Sequence, residues 1–328
     1  MTVRVYKSAE AFKQALEQRL RSATKTGAEF ARRRQLLVFD RFLARVVSVF
    51  GRAATLKGGL VLELRLDRAR TTKDIDLRLT GSADNVLARL QQAARSDLGD
   101  FITFEVRPDE EHPEIQADGM IYEGLRFRTE CRVAGNLFGQ PFGVDVAFGD
   151  PVIGEPDVVV ADDTLGFAGI EPPTLRLYPI ETHIAEKLHA YTLPRSRPNT
   201  RVKDLPDIAL LASAQPLDGQ RLRKALDLTF EFRKTHELPT KLPEPAPAWT
   251  APYAAMARQD TLPWNTLVEV TTAARRFLDP VLSEALNAQW VPESWLWLPR
   301  KKARTRKPVN TSVSKTRLTA RKSPTRRK

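Results

Sequence analysis

The sequence predicts an α+β fold in which alternating strands are followed by a helical region and a basic tail. Apolar side chains recur at helical spacing early in the chain, as at Phe12, Leu16 and Leu20. From Ile75 onward apolar residues alternate with polar ones, which is the two-residue period of a half-buried strand. Residues 300–328 are rich in Lys, Arg, Ser and Thr and hold few apolar groups, so we expect a disordered tail.

The elements between these landmarks follow from local pattern and turn residues. Residues 60–66 fit either a strand or one face of a helix. Prolines are frequent over 151–179, which indicates a connector, and over 238–252, which separates two helical parts. Near the end of the folded chain, we expect Trp290, Trp295 and Trp297 to anchor the C-terminus on the body. The other predicted elements are helices within 8–50, a strand at 74–79, a helix at 84–92, strands at 101–108, 122–133 and 141–151, and helices from Ile180 onward.

Composition excludes several classes of protein. Cys131 is the single cysteine of the sequence, so an intrachain disulfide and a cysteine-rich metal site are both excluded. No run approaches the ~20 apolar residues that span a bilayer, and we expect a cytoplasmic protein without a membrane partner. The net charge of +12 comes from the tail, where thirteen Lys and Arg occur without an acidic residue. The rest of the chain is nearly neutral, so an argument from charge to nucleic-acid binding applies to the tail alone.

Three features in order suggest phosphoryl-type chemistry. Asp74 and Asp76 are two residues apart on a strand, so their carboxylates leave the same face roughly 7 Å apart. Asp145 interrupts an apolar strand, where a carboxylate is costly unless it is paired or bound to a metal. Before both comes Lys57 with the adjacent glycines 58–59, which let backbone N–H groups approach phosphate oxygens. Oxygen ligands of this kind suit Mg²⁺ bound together with substrate phosphates.

Each feature alone has a simpler interpretation. A D-x-D pair on a strand is more often a solvated face, and two glycines are usually a turn. Asp145 is also compatible with a role as a paired structural carboxylate.

The helix that begins at Ile180 carries a second cluster. Its apolar stripe has Lys187 on one border, whereas Glu186 points away and His189 lies about 100° from the stripe, where we expect solvent. Further on, Asp204 and Asp207 share one helix face. Spacing alone favours Asp204 as the N-cap of that helix, with Asp207 in its first turn.

The ordered series of motifs resembles the AbiEii/AbiGii nucleotidyltransferase toxins of type IV toxin–antitoxin systems. The resemblance extends over nearly the whole folded chain, through ARRRQLLVFDRFLARV, LKGGLVLEL, TTKDIDL, VDVAFGDPV, YPIETHIAEKLHA, NTRVKDLPDIALL and LTFEFRKTHELPT. It implies a polymerase-β-like nucleotidyltransferase domain with a mixed sheet at 51–178. N-terminal helices at 1–50 would pack on it, a helical C-terminal domain would span 179–299, and a disordered basic tail would span 300–328. It also favours a helix at 60–66.

The resemblance assigns site residues one by one. It implies metal binding by Asp74, Asp76 and Asp145, with Lys187 and Asp207 as further catalytic residues. It implies nucleotide binding by Lys57, Gly58, Gly59, Lys73, Lys187, Lys203 and Asp204. The sequence departs from the family pattern at Pro206, where an aromatic residue is usual, and the basic tail has no family counterpart.

The resemblance further implies a Mg²⁺- or Mn²⁺-dependent transfer of a nucleoside monophosphate from an NTP. The leading acceptor is the tRNA 3′ end, and a cognate antitoxin would be encoded nearby. Two alternatives remain: transfer to a protein hydroxyl or a small molecule, or a catalytically decayed module that binds NTP or nucleic acid. The tail is interpreted either as a nucleic-acid-binding segment or as a solubilising extension.

Overall fold

The computed structural model describes residues 5–66, 71–113, 124–149, 151–195 and 201–300. Its helices are α1 (Ala9–Ser22), α2 (Gly27–Phe50), α3 (Gly58–Arg65), α4 (Val86–Arg95), α5 (Ile180–Thr192), α6 (Asp204–Ala214), α7 (Gly219–Arg233), α8 (Thr250–Gln259) and α9 (Leu267–Ser283). Its strands are β1 (Ala54–Lys57), β2 (Ile75–Leu79), β3 (Ile102–Pro108), β4 (Gly124–Val133), β5 (Asn136–Leu137), β6 (Phe142–Ala147), β7 (Asp157–Val160), β8 (Thr174–Leu177), β9 (Leu217–Asp218), β10 (Ala288–Val291) and β11 (Leu296–Pro299). The tail at 300–328 is predicted to be disordered, and its residues from 301 onward lie outside the described ranges.

The larger sheet is mixed, as expected. Its strand order is β3-β4-β6-β2-β1-β8-β7, with β5 paired to β4. β2 runs parallel to β6 and β1 parallel to β8, whereas β1 and β2, and β4 and β6, pair antiparallel. Strands β7 and β8 lie inside 151–179, so the interpretation of that segment as a connector is wrong. Four-residue strands between prolines are too short to display a period of their own.

The ambiguous segment 60–66 lies mostly in α3, so the helical interpretation is correct. The chain leaves β1 at Lys57 and turns at Gly58, whose φ of 71° lies in the left-handed region. Leu60, Val61 and Leu62 then enter the interior on successive positions of the first turns. A short helix that is buried around most of its circumference shows no clean period, and so its sequence also fitted a strand.

Helices α1 and α2 contribute to the first of two hydrophobic cores, together with the large sheet. The ring of Phe142 meets those of Phe39 and Phe42 edge-on, at centroid distances of 5.1 and 5.5 Å. Asp100 accepts hydrogen bonds from Arg41 Nε at 2.8 Å and from Arg45 Nη2 at 2.7 Å. Two buried guanidinium groups thus share one buried carboxylate, which ties α2 to the segment that leads into β3.

The second core is formed mainly by α5 to α9. Trp290 is fully buried and donates its indole N–H to the Ala212 carbonyl at 2.7 Å, while Trp295 and Trp297 pack against its ring. The predicted tryptophan anchor is therefore confirmed. The proposed domain boundary near residue 178 stays a prediction. Among the described residues, none of the helices combines the length and apolar character needed to cross a bilayer.

Candidate functional site

Four charged residues form a row across the middle of the large sheet. Arg126 in β4 lies opposite Asp145 in β6, Asp145 opposite Asp76 in β2, and Asp76 opposite Lys57 in β1. Neighbouring strands are about 4.8 Å apart. The two carboxylates are therefore adjacent, with Arg126 beside Asp145 and Lys57 beside Asp76. The alternation of β2 and the order of strands together create this row, in which the two carboxylates repel each other.

The glycine turn closes over one end of the row. Gly58 sits against Asp76, and a Cβ added to Gly58 would lie 2.7 Å from the Cβ of Asp76 and would overlap its carboxylate. Residue 58 therefore has to be glycine for two reasons, its positive φ and this close approach. Gly59 begins the buried part of α3 beside it. The N-terminus of α3 therefore lies next to Asp76. The first backbone N–H groups of a helix have no partner within that helix, so they can bind an anion.

The predicted pair Asp74 and Asp76 occupies two different environments. Asp74 precedes β2 and is exposed, and its Oδ1 accepts a hydrogen bond from the Gly143 amide at 3.0 Å. Asp76 lies within β2 and is half-buried. Burial, followed by the nearby charge of Asp145, raises the pKa of Asp76 to about 6. Its negative charge is thus costly, and a bound cation would relieve that cost.

The oxygen ligands suit a divalent cation but do not form a closed cage. Within the ranges that the structure describes, no group of three or more His, Cys, Asp or Glu side chains is arranged to hold a metal ion. Both carboxylate oxygens of Asp145 accept hydrogen bonds from Arg126, at 2.7 and 2.8 Å. This pairing explains how the apolar strand tolerates Asp145, as one of the two sequence interpretations expected. Mg²⁺ needs only one or two carboxylates when phosphates complete its shell, and Asp74 and Asp76 meet that requirement.

Lys187, in α5, also lines the cleft, and two buried carboxylates contact its ammonium group. Its Nζ lies 3.0 Å from Asp204 Oδ1 and 2.7 Å from Asp207 Oδ2, and the Asp207 side chain is completely buried. The capping role favoured for Asp204 is wrong, because α6 begins at Asp204 and Lys203 is its N-cap, without a side-chain hydrogen bond. The carboxylate of Asp204 contacts Lys187 instead. Pro206 fits the first turn of α6, where a missing N–H costs nothing.

Glu186 is a site residue that the sequence analysis missed. Its Oε2 lies 3.0 Å from Lys57 Nζ and 3.8 Å from an Nη of Arg233, and its Oε1 accepts a hydrogen bond from the Tyr178 hydroxyl at 2.6 Å. Glu186 does point away from the stripe of Leu188, but it points into the cleft. The helical period could not reveal this, since α5 is covered by protein on most sides.

Two histidines of α5 also line the cleft. His189 is completely buried, so the expectation that it faces solvent is wrong; its Nε2 lies 2.7 Å from the Thr235 hydroxyl. His183 is buried as well, and neither of its ring nitrogens has a hydrogen-bond partner among the described residues. Burial and then the charge of Lys187 hold the pKa of His183 well below its usual value, so the ring is neutral.

These elements enclose one cleft of ≈ 460 Å³ between the large sheet and the helices of the second core. All site residues predicted from the sequence line it except Asp207, which lies beneath Lys187. Lys73 and Lys203 are exposed at its edge. The cationic residues that the sequence analysis did not single out are Arg126, Arg195, Arg201 and Arg233. The arrangement can hold a chain of phosphates between lysines, with carboxylates ready to bind a cation.

Comparisons with known proteins concern the family and the fold of the chain. Residues 41–270 match the family model described as nucleotidyl transferase AbiEii toxin, type IV TA system. The fold is similar to that of MenT4, a nucleotidyltransferase toxin from Mycobacterium tuberculosis H37Rv, with a TM-score of 0.55 and 16% identity over 86% of this chain and 92% of that one. The crystal structure of JHP933 from Helicobacter pylori matches with a TM-score of 0.46 and 17% identity over 79% of this chain and 95% of that one. A search of curated proteins found no match.

The family match covers well over half of the chain, and the fold is that of a nucleotidyltransferase. An enzyme of this kind uses an NTP and a divalent cation, and a toxin of a type IV system has an antitoxin partner. The chain therefore belongs to the AbiEii family of nucleotidyltransferase toxins of type IV toxin–antitoxin systems.

Proposed function

We propose that the enzyme transfers a nucleoside monophosphate from an NTP to the 3′ end of tRNA, in a Mg²⁺-dependent reaction that releases pyrophosphate. The observation that supports this most is the row across the sheet, where Asp76 and Asp145 lie side by side between Lys57 and Arg126. Adjacent carboxylates with cations beside them suit a reaction whose substrate and transition state carry several negative charges.

In this proposal the cationic side chains bind the phosphates and the carboxylates bind the cation. Lys57 and Lys187, which line the cleft from β1 and α5, would contact the phosphates, and the N–H groups of the Gly58–Gly59 turn would add hydrogen bonds. Asp207, buried behind Lys187, would fix the position of its ammonium group. Asp74 and Asp76 would hold Mg²⁺, with Asp145 joining them if Arg126 moves to the phosphates. When bound, the cation would supply charge neutralisation at the reacting phosphate.

The reaction would replace a phosphoanhydride bond of the NTP with a phosphate ester bond to the acceptor. A hydroxyl oxygen of the acceptor forms a bond to the α-phosphorus, the bond from that phosphorus to the bridging oxygen breaks, and pyrophosphate and a proton leave. No covalent enzyme intermediate is needed, so positioning and charge are the main contributions of the protein.

Charge at the cleft supports a nucleic-acid acceptor. Arg195, Arg201 and Lys203 follow one another around the end of α5 and the start of α6, at the edge of the cleft. The tail adds thirteen Lys and Arg over 300–328. Both groups would attract a phosphate backbone without reading its sequence, so binding should weaken as salt rises.

Transfer of label tests the proposal. The protein is incubated with Mg²⁺, total tRNA and each of the four α-labelled NTPs in turn, beside an Asp76→Ala variant and tRNA whose 3′-terminal diol has been oxidised by periodate. We expect label on intact tRNA with at least one NTP, and none with the variant or with oxidised tRNA. Label on a protein band instead of RNA would refute the tRNA acceptor, and label with Asp76→Ala would refute the site.

A further inference from the structure

Glu186 contacts side chains from three other parts of the fold. It belongs to α5, whereas its partners Lys57, Tyr178 and Arg233 come from β1, from the residue that follows β8, and from the end of α7. The Glu186 side chain is 13% exposed and that of Lys57 12%. Such a contact between mostly buried charges is held by more than the ion pair, because the Tyr178 hydroxyl donates a hydrogen bond to the same carboxylate.

Lys57 has a competing partner. Asp76 lies directly opposite it in the next strand, and the positive charge of Lys57 acts on Asp76. A lysine ammonium sits on a flexible stem, so it can turn toward either carboxylate. If it turned toward Asp76, it would neutralise the carboxylate that the proposed mechanism assigns to the cation.

In the structure the ammonium group of Lys57 is paired with Glu186. The ammonium lies 3.0 Å from Glu186 Oε2 and 5.3 Å from the centre of the Tyr178 ring, so the tyrosine contacts both members of the pair. Glu186 is ionised in this setting: burial opposes its charge, but Lys57, Arg233 and the Tyr178 hydroxyl hold its pKa below the usual value.

We propose that Glu186 is a positioning residue that holds Lys57 away from Asp76, so that the lysine binds the phosphate chain of the NTP and Asp76 stays available to the cation. This inference rests on the proposed function, because it takes its meaning from a nucleotide in this cleft. In this role Glu186 acts through Lys57.

Binding of Mg²⁺ with inorganic triphosphate separates this role from a simple effect of charge. The probe carries the phosphate chain without base or sugar, so the unknown base preference does not matter. Removal of one negative charge, as in Glu186→Gln, would by itself attract the triphosphate more strongly. If Glu186 is a positioning residue, Glu186→Gln should instead bind the triphosphate at least tenfold more weakly in titration calorimetry, because Lys57 then pairs with Asp76.

The same helix offers a matched control. Glu181 is also buried in α5 and ion-paired, with Arg221 Nε at 3.1 Å, but it lines a separate, smaller cavity. We expect Glu181→Gln to leave triphosphate affinity within twofold of the wild type. In a Lys57→Met background, Glu186→Gln should add less than a twofold change, because the residue through which it acts is gone.

Folding is checked by thermal melting. If Glu186→Gln does not fold, Glu186→Asp serves in its place and should weaken binding by about threefold to tenfold, with the charge kept but moved back by one methylene.

The outcomes distinguish failure of the positioning role of Glu186 from failure of the proposed function. Affinity of Glu186→Gln equal to or tighter than that of Glu181→Gln, or an undiminished effect in the Lys57→Met background, overturns the positioning role. The proposed function would still stand if Asp76→Ala had lost transfer. A wild-type protein that binds no triphosphate and transfers no nucleotide overturns both.

Discussion

Replacement of Gly58 by alanine tests how closely the glycine turn and the carboxylate row fit together. Gly58 has a φ of 71°, and its missing side chain leaves the space that the carboxylate of Asp76 occupies. An alanine here would therefore act twice, on the backbone of residue 58 and on the position of Asp76. The two effects can be separated, since another glycine shares only the first.

The magnitudes follow from the geometry. The left-handed backbone costs a residue with a Cβ about 1–2 kcal/mol. The added Cβ would lie 2.7 Å from the Cβ of Asp76, whereas carbon atoms in contact are about 3.5–4.0 Å apart. The turn or β2 must therefore yield by about 1 Å, and a displacement of that size at a reacting centre lowers the rate by roughly 10²-fold.

The assay compares Gly58→Ala with Gly135→Ala for label transfer to tRNA and for free energy of unfolding in urea. Gly135 has nearly the same φ, 73°, but nothing within 4 Å of an added Cβ. We expect Gly135→Ala to lose stability without losing activity, and Gly58→Ala to lose both. Equal activities of the two variants would refute the close packing of Gly58 on Asp76.

Three further predictions concern buried charges. Asp207→Asn should slow transfer about tenfold, because Lys187 loses the buried charge that fixes it; a wild-type rate would contradict this. Asp100→Ala leaves the buried Arg41 and Arg45 without their carboxylate partner and should lower the free energy of unfolding in urea by about 3–5 kcal/mol; a loss below 1 kcal/mol would contradict this prediction. Burial, followed by the charge of Asp162, raises the pKa of Asp40 to about 7, so its favourable contribution is complete below the unfolded pKa and is lost as pH rises through 7. Asp40→Asn should therefore gain about 3 kcal/mol relative to the wild type between pH 5 and pH 8 in urea unfolding, and a constant difference would contradict this.

Much of the site could be predicted from local sequence patterns. Asp145 stands out because it interrupts the apolar strand β6, Asp76 because it forms a D-x-D pair with Asp74 at β2, and the two glycines that begin α3 because they are adjacent. Arg126 did not, because an arginine in an alternating strand is ordinary, and its bidentate contact with Asp145 arises only from the register of β4 against β6. Register depends on pairing between distant segments, which one sequence does not supply.

The errors on the helices share one physical cause. Amphipathic reasoning assumes a helix with one solvent face, but α5 lies between the sheet and other helices. His189 and Glu186 are therefore both turned toward protein. At α6, the cap assigned to Asp204 was locally sensible, but an ammonium group from another helix offered a stronger partner than a backbone N–H. Helical periodicity and capping preference fail here because the site is formed by residues that are distant in the sequence.

The most direct test of the central claim is the ratio of pyrophosphate released to nucleotide incorporated into tRNA, measured for the wild type and for Asp76→Asn. We expect one pyrophosphate per nucleotide for the wild type, and loss of both products in the variant, since the amide removes the negative charge of residue 76 between Lys57 and Asp145. Release of inorganic phosphate without incorporation, or undiminished transfer by Asp76→Asn, would contradict that claim.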